Sequence, residues 1–214
     1  MKFKFNQKVV ALAAAGLVLL SGATVTSLAA WTDTEWVNGG VATLPGLGAA
    51  TFDVQQNVTN GASTGWSSQE TSPGGVVNFG AAASGLTPNT SVYGFVRLRT
   101  VVNSLAGTLT LQHETDTSGS AFLSALQYGA WLKPAGSTCT SANYNTGTEL
   151  VPDGSSLTKD STVPFILAAG TSTLPGTEQV VCFKVTFPAL TDPSDKTLQG
   201  ALGDPIWQFS AVSN

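Results

Sequence analysis

The chain has 214 residues, only 10% of them charged, and a formal net charge of −4 at pH 7. That length holds one domain with a real core. The acidic balance excludes a basic stripe for nucleic acid or a surface built for anionic lipid.

In chain order, residues 1–30 read as an export signal. Lys2, Lys4 and Lys8 form a basic start, "VVALAAAGLVLL" an apolar run, and "SGATVTSLAA" a tail ending in small residues. The competing reading is a retained anchor. Ser21, Gly22, Thr24, Thr26 and Ser27 dilute its second half, and no basic cluster follows to stop transfer. Cleavage after Ala29 or Ala30 would free an N-terminus at or just before Trp31. Export removes three of the nine basic residues and none of the thirteen acids, which leaves the mature chain at −7. No membrane association is expected after cleavage.

Residues 31–48 form an N-terminal segment and flexible link, with Trp31, Asp33, Glu35, Trp36 and Val37 ahead of "VATLPGLGAA", which opens on Val41. Residues 49–214 then form one domain of short apolar or alternating runs. These are "ATFDVQQN", "VVNFG", "SVYGFVRLRTVV", "GTLTLQHE", "ALQYGAWLK", "VPFILAA", "EQVVCFKVTFP" and "PIWQFSAV", each bounded by Gly, Pro, Asn, Ser or Thr. About eight such strands without a sustained helical period predict a single antiparallel β-sandwich, jelly-roll-like. In the strongest run, Val181, Phe183, Val185 and Phe187 share one face and Val180, Cys182, Lys184 and Thr186 the other. Two cysteines in an exported chain, Cys139 and Cys182, predict one disulfide, tying a long loop over that second face.

Catalytic patterns are sparse. His113 is the only histidine and ends a strand beside Glu114 and Asp116. No Gly-x-Ser-x-Gly elbow, His-Glu-x-x-His helix or phosphate loop occurs, so we expect no enzyme, cofactor or metal; a hydrolase using His113 or a carboxylate pair is the last alternative. "TLPGTE", residues 173–178, shuffles the letters of a sortase signal without its tail and reads as a loop. Asn57-Val58-Thr59 and Asn89-Thr90-Ser91 fit a short, common glycosylation pattern. Trp66, Trp131 and Tyr144 are candidates to stack on a ligand if the domain is a monomeric binding module. Ordinary partial burial is the plainer reading.

"LAAWTDTEWVNGG" resembles the signal-end signature of bacterial proteins processed by a SipW-type signal peptidase: small residues at the cut, an aromatic, an acidic patch, then Gly. The residues are Ala29, Ala30, Trp31, Asp33, Glu35 and Gly39. "LTPNTSVYGFVRLRT", "CTSANYNTGTELVPDG", "VCFKVTFP" and "WQFSA" resemble actinobacterial members of this TasA- and camelysin-like group. The resemblance implies a jelly roll, secretion to the cell surface or biofilm matrix, and self-association into fibres. In those fibres the freed N-terminal segment lies as a strand in the next subunit's sheet. Carried over, the donor is Trp31 to Leu44, with Trp31 and Trp36 as anchors. An equally open reading is that "AAWTDTEW" is recognised only by the signal peptidase.

Overall fold

The computed structural model describes residues 40–41, 44–45, 49–59, 64–113, 120–192, 194 and 196–214. The predicted leader and the predicted cleavage and donor residues Ala29, Ala30, Trp31, Asp33, Glu35, Trp36 and Val37 lie outside them. The chain divides into two units, 1–48 and 49–214. In the first, β1 (Gly40–Val41) pairs antiparallel with β2 (Leu44–Pro45), matching Gly40 to Pro45 and Val41 to Leu44. Within the stretch read as a flexible link, Gly40–Val41 and Leu44–Pro45 thus form a short antiparallel pair.

The second unit is a β-sandwich. One sheet holds β3 (Val54–Asn57), β4 (Thr90–Thr100), β9 (Gln179–Phe187), β6 (Gln127–Pro134) and β7 (Thr148–Ser156), in that order. The other holds β10 (Trp207–Ser213), β5 (Gly107–His113) and β8 (Phe165–Leu167). Every strand pair is antiparallel. The β4–β9 and β5–β8 pairs are nested around the β6–β7 hairpin, which is the winding of a jelly roll. Among the described residues the helices are one five-residue α-helix (Ala121–Ala125), with Ser120 capping Leu123 N–H, and a five-residue 3-10 turn (Ala81–Gly85). No helix there is long and apolar enough to cross a membrane.

The core follows the period-two rule. Val92, Val96 and Leu98 of β4 and Val181, Phe183, Val185 and Phe187 of β9 meet Leu109 and Leu111 of β5 and Phe165 and Leu167 of β8. Trp207 closes it, stacked on Phe183 at 4.7 Å and tilted against Tyr128 at 5.5 Å. Trp207, Phe209 and Ala211 share the inner face of β10 as predicted.

Two runs depart from expectation. "VVNFG" (76–80) is no strand, although Val77 and Phe79 pack on the core. Conversely, β7 carries Pro152 and Gly154, and its alternation is broken. Trp131 pairs with Glu149 while Ala130 pairs with Val151, so Leu150 is bulged and both Leu150 and Val151 turn inward. The freed Leu150 carbonyl accepts from Thr162 N–H at 2.8 Å.

Candidate functional site

The outer face of the five-stranded sheet gathers most of the chemistry-bearing side chains. The strand period puts Tyr93, Phe95, Arg97 and Arg99 of β4, Cys182 and Lys184 of β9, and Trp131 and Lys133 of β6 there. Cys182 is bonded to Cys139, with Cα atoms 5.6 Å apart. The bond lies on the face away from Phe183, as the alternation predicts, and its presence suits an oxidising compartment.

The disulfide holds the loop between β6 and β7 against this face, and Lys133 holds it a second time. The buried Lys133 ammonium donates to the carbonyls of Thr138, at 2.8 Å, and Asn143, at 2.7 Å. Burial pushes its pKa below the usual lysine value. The Asn143 side chain accepts from Thr140 N–H at 2.9 Å and donates to Thr138 Oγ1 at 2.8 Å, closing the turn.

Tyr144 leaves this loop to pack between Trp131, 5.0 Å away edge-on, and Tyr93, 5.2 Å away. Lys184 Nζ lies 2.7 Å from Asp153 Oδ2 and 5.0 Å from the Tyr144 ring centroid. Tyr144 OH donates to the same carboxylate oxygen at 3.1 Å. Burial alone would lower the Lys184 pKa. The hydrogen bond and charge of Asp153, with Tyr144, outweigh it and raise the pKa. These groups satisfy one another, so the cluster stiffens the face and presents no activated nucleophile.

Trp131 is 4% exposed and cannot stack on a ligand. The Trp66 ring is covered by the Arg99 guanidinium at 3.9 Å. The three candidate ligand-stacking aromatics are therefore packed against protein, as the plainer reading expected. Arg97 is also buried, 3.7 Å from Glu178 of the "TLPGTE" loop, and donates to Thr59 O at 2.9 Å. Asn57 is buried and donates to Thr64 O at 2.7 Å, so the first glycosylation pattern has no free side chain.

His113 ends β5 as predicted, but its described carboxylate partner is Asp160, at Nδ1–Oδ1 2.7 Å. Glu114 and Asp116 lie outside the described residues. The His113 backbone N–H also donates to Asp160 Oδ1, and these bonds hold the Asp160 carboxyl below the usual carboxylate range. The nearby Ser161 hydroxyl is occupied in accepting Leu111 N–H at 3.2 Å. Among the described residues, no group of three His, Cys, Asp or Glu side chains could hold a metal ion.

Two features face outward. A cleft of about 620 Å³ lies between residues 83–88 and residues 196 and 198–203, with Phe122, Phe187 and Leu190 in its lining. Open strand edges are the second. Among the described residues, β10 pairs with β5 on one side only, and its sequence, WQFSAVS, carries neither charge nor proline to blunt the edge. β4 is also incomplete. β3 covers only Arg97–Thr100, so among the described residues Thr90–Val96 has β9 as its one ladder partner. Sequence reasoning missed these edges because pairing order is a property of topology. No protein-family model matches the chain, and no curated protein is significantly similar to it.

Proposed function

We propose that the chain is a secreted structural protein of a bacterial surface or biofilm matrix. A signal peptidase frees Trp31, and subunits join head to tail as the N-terminal segment of one adds a strand to the sandwich of the next. The observation that carries this reading is the edge that the described residues leave open on β10 and on Thr90–Val96 of β4. An unpaired edge offers backbone donors and acceptors to an incoming strand, and side-chain pockets set its register. A head-to-tail contact need not close, so it propagates. The disulfide and the signal-like leader support export.

A second reading, a monomeric extracellular adhesin or carbohydrate-binding module, draws on the cleft of about 620 Å³ beside Phe122 and Phe187. Sedimentation velocity separates the two. Assembly predicts large, polydisperse species for the exported chain and a monomer once residues 31–44 are deleted. A single monomer peak for both chains supports the binding module.

A further inference from the structure

The segment 76–80 has the exposure pattern of a half-buried strand. Val76, Asn78 and Gly80 are exposed, while Val77 and Phe79 pack against the core. On the core face, Val77 Cγ1 and Phe79 Cδ1 stand 2.6 and 2.9 Å from where a Gly94 β-carbon would be. On the outer face, Asn78, Phe79 and Gly80 line a cleft of about 270 Å³ with Tyr93, Phe95 and Cys139. A segment that touches both faces of a strand runs along its edge, and this is the edge of β4 that β3 leaves open.

Yet no backbone hydrogen bond joins 76–80 to β4. The Gly80 N–H turns instead to its own neighbour, Asn78 Oδ1, at 2.7 Å. The side chains fill a strand's place while the ladder stays unmade, and an unmade ladder is a reservoir of binding energy. Gly74 and Gly80, at φ 75° and 78°, bracket the segment with a backbone conformation that favours glycine. No atom lies within 4 Å of a Gly80 β-carbon, so conformation and not space calls for glycine there.

We propose that Val76–Gly80 is a removable plug. It occupies the strand site beside β4 in the monomer, and the N-terminal segment of a second copy displaces it and pairs with Thr90–Val96. This rests on the assembly reading above. The segment Trp31–Leu44 is long enough, since the edge needs only about 23 Å at ~3.3 Å per residue. Its chemistry also fits. As a strand it would place Asp33 and Glu35 on one face and Trp36 on the other. The acids would then lie on the outer, solvent-facing side of the sheet, where Asn78 and Gly80 are exposed. Trp36 would enter the space that Phe79 vacates.

Hydrogen–deuterium exchange on the full chain recovered after export, as monomer and as assembly, tests this. We expect exchange at Thr90–Val96 to slow at least tenfold on assembly while residues 76–80 lose their packing. Phe79→Ala should assemble several-fold faster. Protection confined to β10, or an unchanged Phe79→Ala rate, overturns the plug and leaves strand donation standing. Failure to assemble at all overturns both. The exchange map on the unaltered chain decides the question even where Phe79→Ala folds poorly.

Discussion

The ring of Trp131 lies where a β-carbon on Gly129 would stand, two residues back on the same strand: Cη2 and Cζ3 are 2.6 and 2.8 Å from that position, and the Asp153 backbone is 3.0 Å away. The missing side chain lets the indole lie flat on β6 beneath Tyr144. Gly129→Ala should therefore destabilise the domain by about 1–3 kcal/mol through overpacking. Trp131→Leu in the same chain should recover part of the loss. Urea unfolding of the two variants and their combination checks this as a coupling energy.

The disulfide closes a sequence separation of 43 residues. In the chain-entropy model, Cys139→Ser with Cys182→Ser should lower unfolding free energy by about 4 kcal/mol. The loss should concentrate in the loop between β6 and β7, because the bond lies outside the main core. Limited proteolysis should cut within 135–147 before any strand, and far-UV circular dichroism should stay that of a sandwich.

Lys133 tests the second tie on that loop. Lys133→Met keeps the apolar stem but leaves the Thr138 and Asn143 carbonyls without the ammonium. A cost of about 2–3 kcal/mol follows from losing charged hydrogen bonds at a buried site. Denaturant titration measures it, and Tyr144 ring signals should broaden as the loop loosens.

The His113–Asp160 contact predicts a small acid dependence. The Asp160 carboxyl titrates below its unfolded value because His113 donates to its ionised form. Its stabilisation is therefore present above the unfolded carboxyl pKa of about 3.9 and lost as pH falls through the lower folded value. The Asp160 side chain is 50% exposed, so solvent screening keeps the effect under about 1 kcal/mol. Asp160→Asn should be less stable than the parent at pH 6, and the two should converge near pH 2.

Much of this architecture was legible in the residues. The alternation of Val181, Phe183, Val185 and Phe187 placed Cys182 on the outer face, and the Cys139 loop lies there. β7 was missed because its bulge at Leu150, with Pro152 and Gly154, erases the period on which strand reading depends. "VVNFG" was read as a strand because its side chains alternate as one. Only the backbone pairing, which no local pattern reports, distinguishes it from a strand. Asp160 as the partner of His113 was equally illegible, since 47 residues separate them and Asp160 lies in the loop after β7. The open edges follow from which strands neighbour one another, and that order emerges only when the whole chain is wound.

Donation of the N-terminal segment from one copy to another is the central claim. The most direct measurement mixes ¹⁴N- and ¹⁵N-labelled exported chains, lets them assemble, and reads cross-links between residues 31–44 and the sandwich by mass spectrometry. Strand donation predicts that these cross-links join light and heavy copies in the statistical proportion. Cross-links confined to single copies, or none between the segment and any sandwich, would contradict it.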